Sequence, residues 1–293
     1  MRVYSVCLQS VLLGCGQARN FANIRVSLGI SIMTLAEQIS QIQQYDDWII
    51  LSGYMGSISH GTHNPDPGSI DDIDMMCVLI PPIEYYLGLK SFGSRGTKEI
   101  KEGRYDLVLY EFRKFVSLLV KGNPNVIGLL YLKPEYLHKV TDMGRILIEN
   151  RDQFLTQALV HSMLGYANAQ LRKLDSSLKL NPSYRGYMSE KRKKLVEKHG
   201  YDTKYAGHLI RLLRMCLEFI ETKELNVYRI NDGRELYEIK NGKWPFRKVE
   251  SEANRLSELC VTKLNMISDL PESVDQDEVD SICVTILKKK FGY

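Results

Sequence analysis

Apolar and polar positions divide this chain into a short strand-rich part and a longer helical part. The stretch "MTLAEQISQIQQ" (33–44) has the spacing of an amphipathic helix, with Thr34 and Glu37 in capping-box positions. "DWIILSGY" (47–54) then predicts a buried strand, and "IDMMCVLI" (73–80) a second, stopped by Pro81-Pro82. "IEYYLGL" reads as a short helix and "FGSRGTKEIKEG" (92–103) as a mobile, glycine-punctuated loop with a hairpin arm. "RYDLVLYEF" (104–112) is a third strand, running straight into an amphipathic helix through "FRKFVSLLVKG" that Gly122 stops. Asn123-Pro124 opens another short helix in "NVIGLLYL".

Beyond residue 140 helical spacing dominates. Phe154, Leu155, Ala158, Leu159, Ser162, Met163, Tyr166 and Ala167 follow it, and so do Ala206, Leu209, Ile210, Leu213, Cys216, Leu217 and Ile220. "ELNVYRI" (224–230) is one further expected strand, and 246–267 and 275–290 read as closing helices. The organisation expected is a small α/β unit over 33–140 and a helical unit over 141–293, preceded by a leader over 1–32. That leader carries one early Arg and an apolar run broken by Gln9, which is a poor export signal; the fold is expected to start at Met33.

Composition narrows the classes. With 293 residues, 44% of them hydrophobic, and no apolar run near the roughly 20 residues that span a bilayer, the chain reads as a globular protein without a membrane segment. Cys7, Cys15, Cys77, Cys216, Cys260 and Cys283 form no C-x-x-C pair, which argues against a zinc module or a disulfide scaffold and for a reducing, cytoplasmic setting. The formal charge of +4 permits an anionic partner without requiring one. His60 and His63 lack a nearby third ligand and read as solvated loop histidines rather than half a metal site.

The chemistry lies in two short stretches. Asp72 and Asp74 are two apart at the start of a strand, so they share a face while Ile73 and Met75 turn to the core; the same alternation chooses them over Asp71. Asp106 opens the third strand and can lie beside them. Like charges on one face call for a cation, and Mg²⁺ (or Mn²⁺) takes carboxylates together with substrate phosphates. Gly56-Ser57, at the end of the first strand, offers a close backbone approach and two donors to a phosphate. Glu111, at odd spacing from Asp106, is assigned to the helix start instead.

With "LSGYMGS", "SIDDIDMM", "YDLVLYEFRKF", "KGNPNVIGLLYL", "GYMSEKRKKLVEKHGYDTK" and "HLIRLLRM", the chain resembles the DNA polymerase β nucleotidyltransferase superfamily, in its stand-alone branch from bacteria and bacteriophages with RNA-repair-associated relatives. The resemblance implies an α+β fold, a small mixed-sheet nucleotidyltransferase domain with flanking helices followed by a mostly helical domain. It implies that Gly56 and Ser57 hold nucleotide phosphates, that Asp72, Asp74 and Asp106 bind metal, and that Asp106 helps to deprotonate the attacking hydroxyl. Lys204, His208 and Arg211 share a helix face, and the resemblance favours a cationic stripe on the triphosphate over a solvated one. Tyr166 and Gln170 are candidates for the base or sugar, with core packing at least as good a reading for Tyr166. Lys191, Arg192, Lys193 and Lys194 are the candidate nucleic-acid track, with Arg185 and Lys198 nearby. Arg95 and Lys98 are candidates for gating the site.

The expected reaction moves an NMP from an NTP to an acceptor hydroxyl. An RNA 3′ end is favoured as acceptor, protein nucleotidylation is the chief rival, and a small-molecule acceptor comes third. A nucleotide-sensing module without turnover is the reading from a different class. The sequence names neither the base nor the oligomeric state.

Overall fold

A computed structural model of the chain describes residue 37 and residues 39–63, 72–178, 190–267 and 269–293. The leader, Thr34, Asp71 and Arg185 lie outside them. Strands β1 (Ile49–Tyr54), β2 (Ile73–Leu79), β3 (Thr97–Glu102), β4 (Tyr105–Glu111) and β5 (Leu137–Val140) form one mixed sheet in the order β3-β4-β2-β1-β5. Parallel pairing joins β2 to β4, and the other neighbours are antiparallel. Every residue of β1 is buried, which explains why it reads as a mostly apolar run without alternation.

Three elements depart from the sequence expectation. Residues 40–48 form a 3₁₀ helix rather than the tail of an α-helix. Glu102 accepts from the backbone N–H of Ser40 (2.9 Å) and Gln41 (3.2 Å), so the helix start is satisfied from the sheet edge. The segment 97–102, expected as the arm of a mobile loop, is a full edge strand, turned into β4 by Gly103 with φ of 60°. Residues 224–230 are not a strand. The free edge of β1 is taken by β5, and the side chain of Arg229 anchors 224–230 to the helical part through Glu218 and Asp232.

Helices α1 (Gly56–Ser59), α2 (Glu84–Leu87), α3 (Phe112–Val120), α4 (Pro124–Ile127) and α5 (Asp142–Glu149) surround the sheet. Glu111 caps α3, accepting from the N–H of Arg113 (3.0 Å) and Lys114 (3.1 Å), so its role is the helix start read from sequence. The helical part comprises α6 (Gln157–Leu178), α7 (Glu190–His199), α8 (Thr203–Thr222), α9 (Gly233–Lys240), α10 (Phe246–Ile267) and α11 (Gln276–Phe291). Its centre is α8, which buries Ala206, Leu209, Ile210, Leu213, Cys216 and Ile220 against α6, α9 and α10. The buried carboxylate of Asp202 caps α8 on the N–H of Lys204 (3.0 Å) and Tyr205 (3.1 Å). The last helix, α11, returns to α5 and to the 3₁₀ helix before β1, where Lys290 donates to the carbonyl of Asp47. Cys77, Cys216, Cys260 and Cys283 are free, and no described helix is long and apolar enough to cross a membrane.

Candidate active site

The pairing of β2 with β4 sets Asp74 directly beside Asp106. Adjacent strands stand about 4.8 Å apart, so two carboxylates on one face at matched positions repel strongly. Asp72 lies one residue before β2 and is exposed. Burial, then Asp106, then Asp72 push the carboxyl of Asp74 above its ordinary value, and Lys204 and Lys240 pull the other way. Asp106 accepts an ion pair from Lys101 at 2.7 Å. Among the described residues no three carboxylate, imidazole or thiol groups are gathered into a closed metal site. The carboxylates fit a hard divalent cation in kind, since they offer only oxygen and their mutual repulsion is the cost such an ion relieves.

Gly56 begins the turn that follows β1, with φ of 62°. A Cβ at Gly56 would collide with Oδ2 of Asp74, so the absence of a side chain lets the Gly-Ser turn press against the carboxylate. Hydrogen bonding from Met55 N–H to the carbonyl of Asp74 (2.8 Å) fixes that approach. The loop expected as the site's wall runs through 64–71, outside the described residues.

From this turn a cleft of about 290 Å³ runs to the helical part. Met55, Gly56, Ser57, His60, Thr62 and Met76 line one side, and Lys204, His208, Arg211, Met215 and Lys240 the other. All three positions of the α8 stripe therefore face the Gly-Ser turn. Their charge differs from expectation at His208, whose value burial and Arg211 hold down to about 3, so it stands neutral. A guanidinium only donates, so Nδ1 of His208 accepts from Arg211 (2.8 Å) and the proton sits on Nε2. That Nε2 is buried without a hydrogen-bond partner among the described residues. Across the cleft, His60 donates from Nδ1 to the carbonyl of Val227 (3.2 Å). Burial and Arg211 hold it well below its ordinary value, so it is a neutral cleft wall and not a solvated loop residue.

Arg211 is 8% exposed. Besides His208 it donates to Sδ of Met215 (3.0 Å), and it forms no ion pair among the described residues. Burial and Arg229 lower it to about 10, which leaves it charged at neutral pH. A buried charge without a counter-ion is costly, and an anionic ligand in the cleft would supply one.

Other sequence candidates lie elsewhere. Tyr166 packs edge-on against His208, with ring centroids 5.4 Å apart, and Gln170 is buried; neither lines the cleft. Lys98 donates to the hydroxyl of Tyr45 (2.7 Å) and pairs with Leu109, three positions from Asp106, so it is tied away from the carboxylates. Arg95 belongs to the tight turn before β3, with φ of 52°, at the same far end of the hairpin. In the basic run, Arg192 stacks on Tyr205 (3.9 Å) and faces Asp202 (3.8 Å), and Lys193 pairs with Glu190 (2.6 Å). Lys194 is exposed, and the side chain of Lys191 lies outside the described residues. Asn125 and Lys240 also line the cleft and were not singled out from sequence. They come from separate elements, and no spacing signal joins them to the Gly-Ser turn. His60 had one: it stands four residues after Gly56, one helical turn on.

The class that the sequence resembles, the DNA polymerase β-type nucleotidyltransferases, is the one to which the family comparison leads. Residues 32–233 match the profile of the RNA repair pathway DNA polymerase beta family, and the chain belongs to that family. Among solved structures, a nucleotidyltransferase-like protein from Exiguobacterium sibiricum 255-15 is similar at 11% identity and a TM-score of 0.27, over 78% of this chain and 74% of that one. A comparison with curated proteins found no match.

Proposed function

We propose that the protein is a divalent-metal-dependent nucleotidyltransferase that moves an NMP from an NTP to an acceptor hydroxyl, with an RNA 3′ end as the acceptor. One arrangement carries this reading. Asp74 and Asp106 are opposed in register, with Asp74 against the Gly56 turn, and that turn lines a cleft that also holds the buried guanidinium of Arg211, which has no ion pair among the described residues. The first two supply ligands and donors where charge must be held, and the third supplies a cation without a counter-ion among the described residues.

Asp72, Asp74 and Asp106 would hold Mg²⁺ or Mn²⁺, which supplies charge neutralisation at the reacting phosphate and polarises the attacking oxygen. The backbone N–H and hydroxyl of Ser57 donate to phosphate oxygens, and Gly56 lets the backbone come that close. Lys204, Lys240 and Arg211 balance the negative charge of the triphosphate. The acceptor oxygen attacks the α-phosphorus, its proton passes to Asp106, and the bond from the α-phosphorus to the bridging oxygen breaks to release pyrophosphate. The neutral pair formed by His60 and His208 presents one ring acceptor and one ring donor, which suits a sugar or base better than a phosphate. RNA as acceptor rests on the family's association with RNA repair, because Arg192 and Lys193 already have partners within the chain.

The test is incubation of the protein with each α-labelled NTP and Mg²⁺, in parallel with RNA and with protein fractions. Label is expected at RNA 3′ ends. Label in protein alone would make protein nucleotidylation the reading, and saturable nucleotide binding without transfer would make the chain a sensor.

A further inference from the structure

The geometry points to Lys101 as a resident cation of the carboxylate cluster, one that a divalent ion must displace before Asp106 can serve as its ligand. The inference rests on the metal-dependent reading above. Antiparallel pairing sets Lys101 opposite Asp106, and Nζ lies 2.7 Å from Oδ2. Asp106 in turn stands beside Asp74 in the register of β2 and β4, so the ammonium sits at the edge of the carboxylate cluster.

The rest of the side chain is free to move. It belongs to an edge strand and is 69% exposed. An exposed pair of this kind is weak, so a divalent ion can outcompete it. A lysine suits this use, because its single point charge on a flexible stem lets go more readily than the two-pronged fork of an arginine. In the absence of metal, Lys101 offsets part of the repulsion between Asp74 and Asp106. With metal present, its ammonium can swing outward toward solvent and Glu99.

Mn²⁺ binding to the full chain without nucleotide, followed by the paramagnetic resonance signal of free Mn²⁺, tests this. Lys101→Met is expected to tighten Mn²⁺ binding about two- to fivefold, the range set by losing one exposed competing pair. Lys101→Arg should bind no more tightly than the parent, and Lys101→Met in an Asp106→Asn background should gain nothing. Thermal melts check that each variant folds. If Asp106→Asn weakens Mn²⁺ binding but Lys101→Met does not tighten it, the Lys101 assignment is overturned and the metal site stands. Equal tightening in the Asp106→Asn background would also overturn it, by showing a general charge effect. If Asp106→Asn leaves Mn²⁺ binding unchanged, the metal reading of Asp106 falls first.

Discussion

Arg211 and Arg229 are both buried guanidinium groups, and they sit on opposite sides of one physical rule. Arg229 is held by Glu218 (2.5 and 2.6 Å) and by Asp232 (2.8 Å); Arg229→Met leaves Glu218 without its cation while Asp232 keeps Arg214 (3.1 Å), and should cost about 1–3 kcal/mol in urea unfolding. Arg211 has a thioether and an imidazole for partners, so Arg211→Met removes an unpaired charge and should leave the apoprotein as stable as the parent or more so. The same change should weaken NTP binding at least tenfold by calorimetry, about the 1.4 kcal/mol expected from losing one charge-assisted contact. A loss of stability with unchanged NTP affinity would make Arg211 a packing residue. His208 adds a pH dependence. Its folded-state value of about 3 lies below the ordinary 6.5, so between those values the unfolded chain holds a proton that the folded chain does not. This contribution to stability is present above pH 6.5 and is lost as pH falls, by about 2 kcal/mol between pH 7 and pH 5. His208→Gln should flatten that part of the profile in denaturation curves taken at each pH. A slope identical to the parent's would mean that His208 is not held neutral.

At the scale of elements, what could be read from sequence was what short-range spacing encodes. Strands β1, β2 and β4 showed as apolar runs, and Glu111 followed from its position at a strand-to-helix junction, whereas Asp72 lies one residue before the strand whose alternation was to give it a face with Asp74. Asp74 beside Asp106, by contrast, is a statement about register between distant strands, which spacing alone left open. The short strand "LHKV" was missed because four residues with a His and a Lys carry little alternation signal, and its role is fixed by the edge of β1. Taking 224–230 for a strand failed for a complementary reason, since its apolar residues pack as a loop anchored through Arg229. The stripe on α8 was legible as a face, but the neutrality of His208 was not, because it arises from burial and from the contact with Arg211. The β1–α1 turn yields the prediction that belongs to this scale. Gly56→Ala must adopt a left-handed backbone and meet Asp74, so it should cost more than about 1 kcal/mol and abolish nucleotidyl transfer. Parental activity and melting temperature in that variant would remove the close approach from the account.

At the scale of the whole molecule, the cleft joins the Gly-Ser turn and Met76 of the sheet part to α8 and α9 of the helical part, so the nucleotide proposed to bind there would touch both. Mass action then links occupancy to stability: NTP with Mg²⁺ at one hundred times its Kd should add about 2.7 kcal/mol to the folded state. The mild formal charge of +4 places no strong demand for a polyanion on the chain as a whole, and the basic run in α7 spends two of its cations internally. On the proposed reading, an RNA end would therefore be recognised mainly through geometry near Asp106 rather than through a broad electrostatic track. The central claim is that the paired carboxylates of β2 and β4 carry metal-dependent transfer. It is tested most directly by Mg²⁺-dependent pyrophosphate release from NTP in the presence of an RNA 3′ hydroxyl, measured on the parent and on Asp74→Asn. The parent should release pyrophosphate in step with RNA labelling and stop on chelation, and Asp74→Asn should be inactive yet at least as stable, because a repelling buried charge is gone. Release by Asp74→Asn within a few-fold of the parent would contradict the account.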